Sequence, residues 1–302
     1  MNPHKISIGV LVVTYNQYEL TKKFIINFSN LFSEDNRIKL LILDNNSKDG
    51  TYINIKKEFP HVDIRLLNNN YGCVTGRNIG IVELINLQVD YICILDNDIQ
   101  IEDREFFNKI LLYMTENKEI DACCPIVKFG KTREIQTMGY RLNGPFIINI
   151  KKIEELKTPK IDILPGCAQF IRSSTFVKYG LYDNDLSPIS IEDFEWGIRT
   201  KSMGINLSCC ISTEVLHHHN PEIKDSKTKK EFVIVGRVIF LRKHFRIIFF
   251  LREIKYFVFT VAEYGLIFTV SAYFKGLKKK ISFDNYKYEN FVKIPFNYFY
   301  AN

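Results

Sequence analysis

The chain has 302 residues, 46% hydrophobic and 25% charged, with a net charge of +7. That balance excludes an intrinsically disordered chain, and the length admits one large domain or two modest ones. Seven cysteines, an odd number with no Cys-x-x-Cys pair, argue against a disulfide or zinc framework.

Ile6–Val13 is a continuous β-branched apolar run and predicts a central strand, apolar on both faces. Thr14-Tyr15-Asn16-Gln17 follows as a loop. Leu20, Phe24, Ile25, Phe28, Leu31 and Phe32 then recur with helical spacing. A second strand, Lys39–Leu43, runs into Asp44-Asn45-Asn46-Ser47-Lys48-Asp49-Gly50-Thr51, dense in turn and N-cap residues. A short helix reaches about Phe59, and a third strand at Asp63–Leu67 ends in Asn68-Asn69-Asn70-Tyr71-Gly72. Gly76 to Leu87 reads as a helix and Tyr91–Leu95 as a fourth strand. This alternation predicts an α/β fold with a mainly parallel sheet, whose ligands bind beyond the carboxyl ends of the strands. Asn16, Asp44 and Asp96 lie at three such ends and are expected to share one crevice.

The fourth strand stops abruptly at Asp96-Asn97-Asp98. Two carboxylates one residue apart repel unless a cation lies between them. A hard divalent ion such as Mg²⁺ or Mn²⁺ prefers carboxylate oxygen and keeps positions open for phosphate oxygens. The pattern points to a metal–diphosphate site, with a plain Asp-Asn-Asp turn as the alternative.

From Glu105 to Ile163 the pattern is less regular, with a helix at Phe106–Met114 and a buried strand at Ala122–Val127. Leu164-Pro165-Gly166-Cys167-Ala168 is a small-residue loop before a strand. Glu192 and Asp193 open a helix, where the macrodipole favours carboxylates. Trp196, the only tryptophan, shares the Asp193 face and suits either a pocket wall or the core. Strands follow at Asn206–Ile211 and Glu214–Leu216, the second leading into His217-His218-His219. On an extended backbone His217 and His219 point one way and His218 the other. Cys93, Cys123, Cys124, Cys209 and Cys210 sit in apolar runs and read as small buried hydrophobes in a reducing compartment. Cys73 and Cys167 fall in loops without an obvious neighbouring base.

Taken in order, these motifs resemble the nucleotide-sugar glycosyltransferases of the GT-A type, family 2 in particular. The matching residues are Val12-Val13-Thr14-Tyr15-Asn16, Leu43-Asp44 through Thr51, Asn68 to Gly72 with Gly76-Arg77-Asn78-Ile79-Gly80, and Leu95-Asp96-Asn97-Asp98. Further on, Leu164 to Ala168 and Ile191-Glu192-Asp193 through Arg199 and Gly204 match as well. The resemblance implies a Rossmann-like GT-A fold. It implies that Thr14, Tyr15, Asn16, Asp44, Asn46, Arg77, Asp96 and Asn97 serve the nucleotide-sugar, with the planar cation of Arg77 facing it. Asp98 would be the direct metal ligand, joined by His217 with His219 as alternative, and the ion Mn²⁺ or Mg²⁺. Asp193 would be the catalytic base, with Gly166, Glu192 and Trp196 around the sugar and acceptor. The reaction implied is an inverting transfer to a glycan or lipid-linked acceptor in cell-surface polysaccharide synthesis.

From Ile223 onward there are 16 Lys and Arg against 6 Asp and Glu, together with 20 of the 41 aromatics. We therefore divide the chain into a catalytic unit, 1–222, and a basic helical extension, 223–302. Within the first, 1–100 is the nucleotide-binding half and 101–222 the acceptor half. Glu222 to Glu231 reads as a linker. Val238, Leu241, Phe245, Ile248 and Phe249 follow helical spacing, and Tyr256–Phe274 is nearly all apolar around Glu263. That run approaches a bilayer's thickness, but the central carboxylate disfavours a span. The alternatives are a spanning helix, helices packed on the catalytic unit, and interfacial helices on an anionic leaflet, and we favour the last. Gly236-Arg237, Leu241-Arg242-Lys243-His244 and Phe274-Lys275-Gly276-Leu277 resemble the tail of bacterial rhamnosyltransferase-like members. Nucleic acid is disfavoured as a partner, because the aromatics sit in aliphatic runs rather than a polar groove. The run Ile6–Val13 is short and lacks a small-residue cleavage site, so a cytoplasmic protein, peripheral on the inner membrane face, is expected. The oligomeric state is left open.

Two other classes compete. A sugar-nucleotide nucleotidyltransferase also uses a strand-end carboxylate pair, but would want a Gly-rich basic loop after the first strand, and Thr14-Tyr15-Asn16-Gln17 has no Gly, Lys or Arg. A non-catalytic membrane-associated module with a relic sheet would have no use for Asp44, Asp98 and Asp193.

Overall fold

The computed structural model describes residues 6–144, 146–155, 159–188, 191–218, 227–244, 247–295 and 298–301, without the side chains of 247–252. The first half alternates as expected: β1 (Ile8–Thr14), α1 (Tyr18–Phe32), β2 (Ile38–Asp44), α2 (Thr51–Glu58), β3 (Asp63–Leu66), α3 (Gly72–Asn86) and β4 (Tyr91–Leu95). Then come β5 (Ile99–Gln100), α4 (Phe106–Glu116), β6 (Ala122–Phe129), β7 (Ile135–Thr137), β8 (Tyr140–Asn143), β9 (Phe146–Asn149) and β10 (Lys160–Ile161). After them run β11 (Ala168–Arg172), α5 (Ser173–Tyr179), α6 (Glu192–Lys201) and β12 (Leu207–His217).

Ten strands form one mixed sheet in the order β10-β12-β6-β11-β4-β1-β2-β3, with β5 added beside β12 and β7 beside β6. The strands β1 to β4 are parallel to one another, and β11 runs antiparallel between β4 and β6. The pleat explains why the central runs are apolar throughout. Val10, Val12, Ile42, Cys93 and Leu95 turn to one face, against Phe24 and Phe28 of α1 and Phe106 and Phe107 of α4. Leu11, Leu41, Leu43, Ile92 and Ile94 turn to the other, against α3, α5 and α6. Each strand therefore serves two cores at once.

Two elements differ from the sequence reading. The helix after Asn70 begins at Gly72 rather than Gly76, and the two strands expected around Ser212 are one strand, β12, with a bulge between Cys210 and Glu214. A bulge absorbs extra residues without ending a strand.

The extension folds into α7 (Lys227–Lys243), α8 (Ile247–Tyr264), α9 (Leu266–Lys278) and α10 (Tyr288–Phe291). The apolar run 256–274 is thus two helices, broken at Gly265, whose φ of +85° no helix contains. Among the described residues, no helix is long and apolar enough to cross a membrane. The linker expected at 222–231 lies partly outside the described residues, and its last part already belongs to α7.

This extension is stitched to the rest of the chain. Lys243 Nζ pairs with Asp183 at 2.7 Å and with Asp185 at 2.6 Å, and His244 Nε2 lies 3.0 Å from Glu195 on α6. Ile239, Phe291 and Phe299 join the core cluster beneath α3. The last residues bridge to the rim of β3, with Leu67 paired to Tyr300. At the crossing of α7 and α9, a Cβ on Gly276 would stand 2.7 Å from Val238 Cβ and 3.1 Å from the Val235 carbonyl. Gly276→Ala is expected to lower stability by about 1–3 kcal/mol through that overpacking, read as a lower denaturant midpoint.

Candidate active site

The site is built at the carboxyl ends of the parallel strands. Thr14 and Asp44 are register partners, and Leu66 stands beside Asp44 in turn. Leu95 ends β4 next to them, so Asp96 emerges from the sheet one strand away from β1. Its amide donates to the carbonyl of Cys167 at 3.0 Å, which ties it to the loop before β11.

Asp96, Asp98 and His217 form an acidic–imidazole cluster, with one donor atom from each all within 4.8 Å of one another. His217 arrives because β12 ends opposite Ile99 of β5, the residue after Asp98. Its Nε2 lies 3.2 Å from Asp98 Oδ1, while Nδ1 is 3.1 Å from Gln136 Oε1. Gln136 thus fixes which nitrogen faces the carboxylates. Burial opposes charge on the imidazole, but Asp98 and Cys167 outweigh it and push its pKa up to about 11, so a divalent ion would bind here only by displacing that proton. Two carboxylates and an imidazole are a donor set that fits Mn²⁺ well and Mg²⁺ adequately. His218 turns away to Gln100 Oε1 at 2.8 Å, and His219 lies outside the described residues.

On the other side of the crevice stands Asp193, in the first turn of α6. Gly166 donates its amide to Asp193 Oδ2 at 3.0 Å, and Phe194 donates to Oδ1 at 2.9 Å. A Cβ on Gly166 would stand 3.1 Å from that carboxylate, so the glycine lets the loop approach the acid. Burial and the adjacent Glu192 push Asp193 up to about 7, against the pull of Arg77 and the two amides. At that value the group is poised to exchange a proton near neutral pH.

Arg77 joins the two halves. Its guanidinium reaches Asp96 Oδ1 at 2.7 Å and Glu192 Oε1 at 2.9 Å, and the residue is only 4% exposed. Arg77 was expected to face the nucleotide; it is instead an internal strut, held between carboxylates because a buried cation needs counter-charge. Glu192, expected in the sugar pocket, is likewise buried as its partner.

Asp44 is fully buried. Its Oδ1 accepts from the Ser47 amide at 2.6 Å, while Oδ2 has no hydrogen-bond partner among the described residues. Burial raises its pKa. Tyr15 and Asn16 are exposed at the rim, and Asn46 half-buried, with both asparagines at positive φ. Thr14 and Asn97 differ from expectation. Both are buried, and Asn97 Nδ2 donates to Gln17 Oε1 at 2.9 Å and Thr21 Oγ1 at 3.0 Å. They brace the Asp96–Asp98 turn against α1. Trp196 also moves. It has no exposed surface, packs against Phe176 and Tyr182, and donates Nε1–H to the Gly180 carbonyl at 2.9 Å. It is a core residue, because the inner face of α6 lies on the sheet-side core and not on the crevice.

Sequence reasoning missed Gln136, and nothing in the spacing of β7 marks it. It also missed Tyr140 on β8, whose ring packs against Phe194 with centroids 5.0 Å apart.

Comparisons with known proteins bear on the fold and the family. Among solved structures, GalNAc-T7 with UDP, GalNAc and Mn²⁺ aligns with a TM-score of 0.61 at 15% identity, over 80% of this chain and 48% of that one. TarS of S. aureus aligns with a TM-score of 0.53 at 14% identity, over 77% of this chain and 40% of that one. Its 1–349 form matches with the same score over 66% of its length. The chain thus spans about half or less of the two longer neighbours. These likenesses establish the GT-A fold, with the C-terminal helices added. No match was found among curated proteins. The model of the family described as glycosyl transferase family 2 matches residues 9–180, more than half of the chain, and the protein belongs to that family.

Proposed function

We propose that the chain moves a sugar from a nucleotide-diphosphate donor to a hydroxyl of a glycan or lipid-linked acceptor, with inversion at the anomeric carbon. The observation that carries this reading is the meeting of two chemistries in one crevice. The cluster of Asp96, Asp98 and His217 is tied through Arg77 to Glu192, the neighbour of the half-buried base candidate Asp193, and through the Gly166–Cys167 loop to Asp193 itself. The partnerless Oδ2 of Asp44 suits an N–H or hydroxyl of the nucleoside, with Tyr15, Asn16 and Asn46 at the rim. Asp98, Asp96 and His217 would hold Mn²⁺ or Mg²⁺, which supplies positive charge to the diphosphate leaving group when bound. The neighbour solved with UDP and Mn²⁺ supports that choice. Asp193 takes the proton of the acceptor hydroxyl as its oxygen attacks the anomeric carbon. The bond to the diphosphate breaks on the opposite face, so a single displacement inverts the centre.

The extension supports a peripheral site of work on the inner membrane face, where a lipid-linked acceptor for surface polysaccharide would lie. Val258, Phe259 and Ile267 are 63%, 59% and 88% exposed, and Lys255, Lys278 and Lys280 of the same extension are exposed as well. Exposed apolar groups and lysines suit the interface of an anionic leaflet.

The test is calorimetry with nucleoside diphosphates of each base, with and without Mn²⁺. Wild type is expected to bind one of them tighter with the ion present. Asp98→Ala is expected to lose about 10–100-fold in that metal-dependent affinity. Equal affinity with and without Mn²⁺ in the wild type would remove the metal from the reading.

A further inference from the structure

We propose that Tyr140 and Phe194 form the platform on which the acceptor's sugar ring lies, beside Asp193. The proposal rests on the glycosyl-transfer reading and names the acceptor subsite within it. The two rings stand with centroids 5.0 Å apart and planes at 47°, and both residues are half-buried. Trp196, two residues beyond Phe194 on α6, has no exposure at all. Of the aromatic groups near α6, this pair keeps a solvent-facing surface next to the base.

The pair is also held where an acceptor must sit. Phe194 follows Asp193 directly and donates its amide to Asp193 Oδ1 at 2.9 Å. Tyr140 is fixed from the other side. Its amide donates to the Ile163 carbonyl at 3.0 Å, and its carbonyl accepts from Asp162 at 2.8 Å and from Ile163 at 3.2 Å. Ile163 leads straight into the loop whose Gly166 amide holds Asp193 Oδ2. Burial and the Asp193 carboxylate both disfavour ionisation of Tyr140, in keeping with its ring contact to Phe194, the residue after the base. Base, loop and both rings therefore form one tied unit. On the β8–β9 ribbon, Leu142 and its register partner Ile147 share the face of Tyr140, so the apolar surface continues away from the base.

A pyranose suits this surface. One of its faces is a patch of C–H bonds, which the negative face of an aromatic ring attracts, while its hydroxyls stay at the edge. A ring laid on the platform keeps its edge hydroxyls toward Asp193. Aromatic walls with one or two placed polar groups are the usual composition of small-ligand sites.

The test uses the full chain and saturation-transfer NMR with methyl pyranosides of the gluco, galacto, manno and rhamno series. Wild type is expected to saturate the C–H protons of one sugar face in at least one of them. Tyr140→Leu and Phe194→Leu keep apolar bulk but lose the ring, and each is expected to weaken that binding about tenfold. Tyr140→Phe and Phe194→Tyr keep the ring and are expected to bind as wild type. No saturation from wild type, or equal affinity in the leucine variants, overturns the platform. So does loss of Mn²⁺-dependent nucleoside diphosphate binding in those variants, since the subsite would then not be distinct. Failure of the transferase reading shows elsewhere, as absence of metal-dependent nucleotide binding in the wild type.

Discussion

Replacing Asp193 by asparagine is expected to lower the rate of sugar transfer by about 10²–10⁴-fold while leaving donor binding within about twofold. The asparagine keeps the shape but has one acceptor oxygen where the carboxylate uses two, so it serves only one of the Gly166 and Phe194 amides, and it cannot take a proton. The wild-type carboxyl stands near 7, raised from an ordinary 3.8 by burial and by Glu192. A base must be ionised to act, so kcat/KM should rise with pH and level off above about 7. The acid limb is expected to vanish in the variant's residual activity. Stability runs the other way. The folded chain holds this proton more tightly than the unfolded one, so the group's contribution is fully present below 3.8 and is lost as pH rises through about 7. Asp193→Asn removes that loss. The melting temperature of the variant relative to wild type is therefore expected to be higher at pH 8 than at pH 4. A variant that loses activity and stability together at pH 8 would mark Asp193 as a structural residue.

The backbone of this protein was largely legible in its sequence. Runs such as Ile8–Thr14 and Tyr91–Leu95 carry apolar side chains on both faces because each is sandwiched between two helical layers, whereas a strand with one wet face would alternate apolar and polar. The strand-end residues followed from topology alone, since parallel strands bring their carboxyl ends together. What sequence could not supply was the direction of side chains. Asn97 sits between two exposed-side acids and still points inward, because the turn that presents Asp96 and Asp98 needs a brace on Thr14, Gln17 and Thr21. Trp196 shares a helical face with Asp193 by spacing, yet the core takes it, because α6 lies with that turn against Phe176 and Tyr182. Gln136 is found only through strand register, which pairs β7 with β6 and so sets it by the end of β12. The tail's anchors are of the same kind. Nothing in the sequence of the basic tail marks the partners of Lys243 and His244, which end on Asp183, Asp185 and Glu195.

Arg77→Met is expected to cost about 3–5 kcal/mol of stability, because it strips the counter-charge from a buried carboxylate. Glu192 has a side chain only 7% exposed and would lose the Arg77 guanidinium while the Asp193 carboxyl stays next to it in the chain. Asp96 loses less, since its side chain is 38% exposed and water can take over. Arg77 also lowers the Asp193 pKa, so its removal is expected to move the acid limb of kcat/KM above 7. Guanidinium has two separate N–H arms, and here they serve two different acids; Arg77→Lys offers a single point charge and is expected to recover only part of either effect. The decisive variant is the double one. Arg77→Met with Glu192→Met replaces a buried ion pair by apolar volume, which such sites often tolerate without net loss. Chemical denaturation should therefore show the double variant more stable than Arg77→Met alone. Its activity is expected to stay low, because Asp96 is no longer tied through Arg77 to Glu192, the residue next to Asp193 on α6. Recovery of activity along with stability would mean that Arg77 acts on the fold alone and takes no part in holding the two halves of the crevice in register.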